Sequence, residues 1–253
     1  MNDLNEDAVP PGRSGKGVNE RRGQDGVEED RQINSSTNSA RPNPELSEEH
    51  QARLDRVISR EVQRERGYRT ISDRAELMEL GFKKIQARVP SILIPMWNVH
   101  GALATYNHRP DNPRKQSKRD RFVKYEPIYG SHKILDVPRR CQPMLADPGI
   151  DLCITEGAIK VDWIASQGGC GVSIQGVWGW RGTNPQNGKT ALVHWASVAL
   201  NGRNVIIMFD ADIHVNPNIW HSAVALGAFL ESKDAKAKFL HWGWLEGGES
   251  NGD

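Results

Sequence analysis

The sequence predicts an α/β protein whose second half forms a mostly parallel, Rossmann-like sheet, preceded by a smaller α+β unit. Short apolar segments in the second half lack polar alternation, as expected of strands that are covered on both faces. Segments with a helical pattern separate these strands, which is typical of βαβ units. The predicted strands are residues 152–155, 171–174, 205–209 and 237–242, and the predicted helices are residues 158–167, 189–200 and 218–232.

Composition divides the chain into four parts. Residues 1–45 contain no aromatic residue and many Gly, Pro, Asn and charged residues, so we expect a disordered tail. Prolines near residue 145 separate a basic α+β subdomain, residues 46–145, from a second domain, residues 150–245. Residues 246–253 are polar and are expected to be a flexible end.

Local signals predict the elements of the α+β subdomain. Ser47 is a suitable N-cap for a helix that runs to about residue 66 and ends at Gly67. Asp73 has the position of an N-cap for a second helix, which Gly81 ends. Strands are then expected at residues 91–96, 102–109, 122–125 and 133–137, with the first two joined by a turn at residues 98–101.

Composition also excludes some classes of protein. The chain has 33 basic and 32 acidic residues and only three cysteines, none in a C-x-x-C pair, which argues against a zinc ribbon and a disulfide framework. We expect the cysteines to be buried structural thiols. Since no signal-peptide or transmembrane pattern is present, we expect a cytoplasmic protein without a membrane partner.

Three carboxylates follow two of the predicted strands. Glu156 comes directly after the first strand of the second domain, and Asp210 and Asp212 follow the strand at residues 205–209. Ligands of open α/β sheets bind outside the carboxyl ends of the strands, so the three side chains would share one rim if the two strands are neighbours. On spacing alone, Glu156 could instead cap a helix, and the aspartates could be ordinary loop residues.

These carboxylates carry a resemblance to a known domain. A strand ending in Glu156-Gly157 and a later strand ending in Asp210-Ala211-Asp212 resemble the Toprim domain of primases, topoisomerases and related nucleases. Residues 176–184, Gly-Val-Trp-Gly-Trp-Arg-Gly-Thr-Asn, match a block of an uncharacterised Toprim-like family in primase-like proteins of phages, plasmids and integrative elements. Upstream residues resemble the elements that precede the Toprim domain in bacterial primases: Ile94-Pro95, Gly101, Arg109, Lys124-Tyr125 and Pro127.

The resemblance implies a function. It assigns Asp210 and Asp212 to Mg²⁺ or Mn²⁺, and Glu156 to acid/base work or to the metal, in nucleotidyl or phosphoryl transfer on a DNA template. The implied partners are DNA, expected to be single-stranded, nucleotides, and a helicase or another replication protein of a mobile element. A non-catalytic or truncated nucleic-acid-binding module and a Toprim nuclease are the alternatives.

Basic residues are candidates for contacts with phosphate. Residues 109–140 contain ten basic and four acidic residues, a local charge of +6, which can bind nucleic acid or form only a solvated loop. Lys160 lies one helical turn after Glu156, so it can hold a phosphate or pair with that carboxylate. The candidates are Arg109, Lys124, Lys160, Arg181 and Lys189.

Residues 182–190 only superficially resemble a P-loop. Five residues separate Gly182 from Gly188, whereas the phosphate-binding loop requires four, and Pro185 lacks a backbone N–H. We therefore interpret this segment as a polar loop whose Lys189 begins the next helix. Trp178 and Trp180 are expected to pack in the core first and to stack on bases second.

Overall fold

The computed structural model describes residues 46–116, 122–209 and 216–240. The described residues lie within one compact unit. The predicted disordered tail and flexible end lie outside the described residues, as do Asp210 and Asp212. The proposed domain boundaries stay a prediction.

The first half of the described chain forms an antiparallel sheet with flanking helices. Its elements are α1 (Glu48–Asp55), α2 (Arg60–Arg66), β1 (Arg69–Ile71), α3 (Arg74–Glu79), β2 (Ser91–Trp97), β3 (Leu103–Pro110), β4 (Arg114–Lys115), β5 (Phe122–Val123) and β6 (Glu126–Pro127). The sheet has the strand order β1-β2-β3-β6, and β4 pairs separately with β5. The β2–β3 hairpin and the turn between its strands agree with the sequence prediction.

The single helix predicted up to residue 66 is in fact two helices. Ser47 caps α1, and Gly67 ends α2 in the left-handed conformation with φ of 83°, as predicted. Between them, the hydroxyl of Ser59 accepts a hydrogen bond from the N–H of Val62 and caps α2. The N–H of Ser59 donates to Oγ of Ser166 at 2.9 Å, so a contact with a distant segment helps to fix the break.

The second half forms a parallel sheet. Its elements are β7 (Leu152–Glu156), α4 (Ala158–Ser166), β8 (Cys170–Ile174), β9 (Arg181–Thr183), β10 (Lys189–Ala191), β11 (Asn204–Met208), α5 (Pro217–Glu231) and β12 (Lys236–Phe239), with 3-10 turns at Arg139–Cys141, Pro143–Ala146 and Val193–Ser197. The four main strands have the order β12-β11-β7-β8, and every neighbouring pair is parallel. The predicted α/β fold class is therefore confirmed.

The core lies on the parallel sheet and its helices. Side chains of three neighbouring strands, such as Ile154 of β7, Val172 of β8 and Ile207 of β11, are at most 1% exposed. Leu226 of α5 and Ala165 of α4 pack in the same cluster. A smaller cluster lies beside the antiparallel sheet and contains Ile71, Leu77, Phe82, Ala87 and Leu93.

The predicted helix at residues 189–200 is wrong. Residues 189–191 form β10, which pairs antiparallel with β9, and a 3-10 turn follows. The connecting turn contains Asn187 with φ of 62°, and Oδ1 of Asn184 accepts from the N–H of Gly188 at 2.6 Å. Because Asn and Gly tolerate this left-handed conformation, the turn chemistry favours a hairpin over a helix.

The predicted strand at residues 133–137 is also wrong, since the segment forms only an isolated bridge. The N–H of Asp136 donates to Ser173 O at 2.9 Å, and the N–H of Ser173 returns a bond of 2.7 Å. One residue later, the N–H of Val137 donates to Trp97 O at 2.8 Å. This linking segment therefore connects the end of β2 to the edge strand β8.

The three cysteines, all predicted to be buried, differ in exposure. Cys141 and Cys170 are buried thiols, as predicted, whereas Cys153 is partly exposed. Partial burial raises the pKa of the Cys153 thiol to about 11.

In the part of the chain that the structure describes, no helix is long and apolar enough to cross a membrane.

A buried ion network joins the two halves of the molecule. Arg66 of α2 is 1% exposed, and its guanidinium binds Asp162 of α4 through Nε at 2.9 Å and Asp136 of the linking segment through Nη1 at 2.5 Å. Both carboxylates are fully buried. Further donors to them are Tyr68 Oη, the Trp97 N–H and Ser173 Oγ.

The charges in this network stabilise one another. Burial opposes the charge of Arg66, but the carboxylates of Asp136 and Asp162 hold the pKa of the guanidinium well above its usual value. Burial, reinforced by Asp162, raises the pKa of Tyr68, so its hydroxyl remains a neutral donor. For Asp162, burial outweighs the attraction of Arg66 and raises the pKa of the carboxyl. The network therefore depends on one cation between two buried carboxylates.

We predict that Arg66→Leu lowers the free energy of unfolding by roughly 3–5 kcal/mol, because both carboxylates would stay buried without their counter-ion. Urea unfolding at neutral pH measures the change. Arg64→Leu, at a side chain of the same helix that is 72% exposed, is the matched control and should have little effect. Equal effects of the two substitutions would contradict the role assigned to Arg66.

A second prediction concerns His108, which is fully buried and packs edge-on against Phe82 with 4.6 Å between ring centroids. Burial lowers its pKa from 6.5 to about 4. Since the unfolded chain takes up this proton near pH 6.5, the contribution to stability is complete above that pH and is lost as pH falls to about 4, by roughly 3 kcal/mol. We expect His108→Leu to flatten the pH dependence of stability in this range.

The control for this titration is His132→Gln, at an exposed histidine. Chemical denaturation at several pH values between 4 and 7 should show a weaker acid loss of stability for His108→Leu only. An unchanged slope in that variant would mean that other groups cause the acid sensitivity.

Candidate functional site

Strands β7 and β11 are direct neighbours, as the shared rim requires. They pair in parallel, with Leu152 opposite Val205 and Thr155 opposite Met208. Glu156 ends β7 beside Phe209, the residue that follows β11. The next residues after Phe209 are the predicted metal ligands Asp210 and Asp212, which lie outside the described residues. The structure thus confirms the strand adjacency on which the predicted site depends.

Gly157 makes the sharp turn from β7 into α4. Its φ of 81° favours glycine, and its N–H donates to Ile174 O at 3.3 Å. The helix begins at the next residue, so Glu156 ends the strand and Lys160 is the third residue of the helix, and the predicted helical spacing between the two does not occur. Both side chains are half-buried, and both line the same cleft.

This cleft has a volume of about 520 Å³ and lies between the two sheets. One wall comes from the antiparallel sheet and contains Ile94, Met96, Asn107 and Pro127. The other comes from the carboxyl end of the parallel sheet and contains Glu156, Lys160, Ile174 and Gln175. The fold therefore brings two of the predicted site residues, Glu156 and Lys160, to one side of a cavity that the β2–β3 hairpin closes on the other.

Arg109 contacts Tyr125, a residue that lines this cleft. Its Nη1 donates to the hydroxyl of Tyr125 at 3.1 Å, and its guanidinium lies 5.3 Å from the centroid of that ring. Tyr125 lines the cleft and is 38% exposed. Lys124, the preceding residue, is exposed. Arg109 and Lys124 therefore lie near the edge of the cleft that Tyr125 forms.

Part of the basic segment is neutralised within the fold. Arg114 binds Glu126 through Nε at 2.5 Å, and Arg140 binds Glu65 through Nη2 at 2.7 Å. Three further cations of the segment, Lys118, Arg119 and Arg121, lie outside the described residues. The charge of +6 counted for residues 109–140 is therefore larger than the positive charge that the described residues of this segment offer to a ligand.

A second group of three cations lies at the β9–β10 hairpin, and the sequence analysis named two of them as candidates for phosphate contacts. Lys133 Nζ donates to Trp178 O at 3.1 Å, the guanidinium of Arg181 lies 3.7 Å from the indole centroid of Trp178, and Lys189 Nζ donates to Thr183 Oγ1 at 2.6 Å. Partial burial and the charges of Lys189 and Arg181 lower the pKa of Lys133. We call Lys133, Arg181 and Lys189 the cationic cluster. Sequence reasoning found two members but missed Lys133, since only tertiary folding brings it to the β9–β10 hairpin.

The tryptophans fix this hairpin to α5, as the predicted packing role requires. Trp180 is 6% exposed, stacks on Phe229 with 5.6 Å between ring centroids, and donates through Nε1 to Ser222 Oγ at 3.3 Å. Trp178 donates through Nε1 to Asn218 Oδ1 at 3.0 Å. Packing of the indoles thus determines where the cations of the hairpin lie.

Within the described ranges, no group of three His, Cys, Asp or Glu side chains is placed to hold a metal ion. Of the three predicted carboxylates, the structure describes only Glu156. The assignment of Asp210 and Asp212 to a metal is therefore still a prediction.

Comparison with known families gives a match in the second half of the chain. Residues 142–252 match a family described as a domain of unknown function, DUF3854. The resemblance to an uncharacterised domain family, expected from the sequence, is thereby confirmed. A comparison with curated proteins found no match.

Two solved structures show the same fold at low sequence identity. The zinc-binding and RNA polymerase domains of the Aquifex aeolicus primase match with a TM-score of 0.52 and 15% identity, covering 77% of this chain and 50% of that one. The DnaG catalytic core matches with a TM-score of 0.54 and 15% identity, covering 82% of this chain and 67% of that one. This chain thus spans half of the Aquifex structure, and its fold is similar to that of primase catalytic cores.

The tight backbone beside the cleft yields a prediction. A Cβ at Gly179 would lie 2.5 Å from the backbone N of Gln175, so Gly179→Ala must displace the backbone of a residue that lines the cleft. We expect a loss of roughly 1–3 kcal/mol in the free energy of unfolding. In the control, Gly182→Ala, the new Cβ would meet only Leu192 at 3.5 Å, an ordinary contact. Thermal unfolding of both variants tests this, and equal stability would contradict the close approach.

Proposed function

We propose that this protein is a primase-like DNA replication protein of a mobile element, which catalyses nucleotidyl or phosphoryl transfer on a DNA template with Mg²⁺ or Mn²⁺. The observation that carries the proposal is the parallel pairing of β7 with β11. This pairing brings Glu156, which lines the cleft, and the end of β11 to one edge of the sheet. The fold shared with primase cores supports the same reaction class.

Each carboxylate has a proposed role. Asp210 and Asp212 would hold the divalent ion, since Mg²⁺ prefers carboxylate oxygens. When bound, such an ion orients phosphates and neutralises the charge that develops during transfer. Glu156, at the end of β7, would move a proton to or from the reacting hydroxyl or add an oxygen ligand. Lys160, in the first turn of α4, lines the same cleft and would hold a phosphate.

Basic residues around the cleft and the hairpin would bind DNA and nucleotides. Arg109 and Lys124 lie beside Tyr125, an aromatic ring at the cleft, and an aromatic face can stack a base of single-stranded DNA. In the cationic cluster, the like charges of Lys133, Arg181 and Lys189 repel one another. Phosphate groups would relieve this repulsion, which supports a phosphate-binding role for Arg181 and Lys189.

The proposal includes a setting for this reaction. The basic subdomain, residues 46–145, would guide the template to the Toprim-like domain, residues 150–245. A helicase or another replication protein would supply single-stranded DNA in the cytoplasm. Residues 1–45 and 246–253 are proposed to be flexible extensions of this core.

Nucleotide incorporation on single-stranded DNA with Mg²⁺ or Mn²⁺ tests the proposal. We expect labelled oligonucleotides from the intact protein and a loss of roughly 100-fold or more in Glu156→Gln and in Asp210→Asn/Asp212→Asn, because these substitutions remove the proton-transfer group and the metal ligands. Glu231→Gln, at an exposed carboxylate at the end of α5, is the matched control and should keep full activity.

Other outcomes separate the alternatives. DNA binding that needs no divalent ion, without any product, would favour a non-catalytic or truncated module. Cleavage of DNA without added nucleotides would favour a Toprim nuclease. Full incorporation by the carboxylate variants would contradict the proposed reaction centre.

A further inference from the structure

A basic hollow lies on the face of the antiparallel sheet that is opposite the cleft. Side chains of a strand point alternately to its two faces, and in β2 Ile94 and Met96 line the cleft, whereas Leu93 packs in the smaller cluster. Leu77 of α3 and Ala87 belong to that cluster, so α3 and the segment before β2 cover the opposite face. The hollow opens in this cover and has a volume of about 540 Å³. Its lining residues are Arg74, Lys84, Ile85, Ala87, Arg88, Val89 and Asn112.

Three of the described lining residues are cations, and none is a carboxylate. Arg74, Lys84 and Arg88 are exposed, and none of them forms an ion pair with another described residue. The hollow therefore presents positive charge that the described part of the fold does not neutralise. Carboxylates close to it in the chain are engaged elsewhere or do not line it: Asp73 accepts from the N–H of Ala75, Glu76 binds Arg69, Asp111 binds Arg53, and Glu79 lies outside the lining.

The backbone that carries these cations is held in place. The N–H of Gln86 donates to Lys83 O at 2.7 Å and closes a turn. The side chain of Gln86 is buried, and its Nε2 donates to Pro127 O in β6 at 2.6 Å. The guanidinium of Arg74 donates to Lys84 O, which ties α3 to the turn. Binding of an anion therefore requires little ordering of the main chain.

The lining residues have the chemistry of a phosphate site. A guanidinium group presents its N–H donors in a planar fork that matches phosphate oxygens, and a lysine adds a compact charge. The side-chain amide of Asn112 can donate a further hydrogen bond. Most of the lining residues are exposed, so the hollow is open to solvent and an extended polymer can lie across it.

We infer that the basic hollow binds backbone phosphates of the single-stranded DNA template, outside the cleft in which the template reacts. The inference rests on the proposed function, in which DNA is the template. Val89 at the hollow precedes Ile94 at the cleft by five residues, which span at most about 17 Å. A strand must pass the edge of the sheet to contact both places, so only longer DNA can do so. Phosphate contacts of this kind position DNA without reading its sequence.

The salt dependence of DNA binding tests the inference. We expect Arg74→Gln/Lys84→Gln/Arg88→Gln to weaken binding of an oligonucleotide of about 16 nucleotides by about 10- to 100-fold. The slope of log affinity against log salt should become shallower by about 2, since each phosphate contact on a single strand contributes about 0.7. An oligonucleotide of about 4 nucleotides cannot contact both places and should lose much less affinity. Fluorescence anisotropy of the full chain at several salt concentrations measures these changes.

A control variant removes the same charge elsewhere. Lys233→Gln/Lys236→Gln/Lys238→Gln replaces three exposed cations outside the hollow and should change affinity and slope little. Arg74→Lys/Arg88→Lys keeps the charge of the hollow and should keep the slope.

Thermal unfolding checks that the hollow variant is folded. Its three substituted side chains are exposed, so its melting temperature should stay close to that of the intact chain. If it melts much earlier, Lys84→Gln/Arg88→Gln leaves the hydrogen bond of Arg74 in place and should make the slope shallower by about 1.4.

Several results would overturn the inference. They are an unchanged affinity and slope in the folded hollow variant, or equal losses in the control variant. An equal loss of polyglutamate binding would indicate a surface for acidic proteins and contradict the DNA assignment. A loss of inorganic triphosphate binding without a loss of DNA binding would indicate a site for a small phosphorylated ligand and contradict it as well.

Nucleotide incorporation separates this inference from the proposed function. The hollow lies outside the proposed reaction centre, so the hollow variant should keep kcat and raise KM for the template by about the factor by which its DNA affinity falls. DNA binding that depends on the hollow, without incorporation by the intact chain, would support the hollow and contradict the proposed reaction. Incorporation with an unchanged KM for the template in the hollow variant would support the reaction and contradict the hollow.

Discussion

Arg66 stands at the centre of the interaction on which the cleft depends. Its guanidinium is buried between Asp162 of α4 and Asp136 of the linking segment. The same Asp136 carboxylate accepts a hydrogen bond from the N–H of Trp97, the last residue of β2. It accepts another from Oγ of Ser173, which lies in β8. A buried ion pair that loses one partner leaves an uncompensated charge, so the three segments must keep their positions together. Since β2 and β8 lead into opposite walls of the cleft, one cation holds both walls in place.

Packing of indole rings has a comparable role at the β9–β10 hairpin. Trp180 stacks on Phe229 of α5, and the indole N–H of Trp195 donates to Trp180 O at 3.0 Å. These contacts fix the strand that carries Arg181 and the strand that carries Lys189. The electrostatic character of this surface is thus a consequence of apolar packing, because the cations repel one another and would separate if the hairpin were free.

Local chemistry was a reliable guide where an element depends on its own residues. The caps at Ser47 and Gly67 occur as predicted, because their hydrogen bonds close within a few residues. Prediction failed where a distant residue decides the outcome. Ser59 interrupts the first helix with help from Ser166, and the apolar residues near Trp195 pack as a 3-10 turn against the hairpin instead of extending a helix.

The sequence by itself determined the alternation of strands and helices in the second half, the glycine turn after Glu156, and the position of Glu156 at the end of a strand. These features follow from apolar patterning and backbone preferences, which are local. Only the tertiary structure decided that β7 and β11 are neighbours, that Lys133 joins Arg181 and Lys189, and that Asn107 faces the same cleft as Gln175. Strand order and the approach of two sheets depend on contacts between residues far apart in the chain, and no local pattern encodes them.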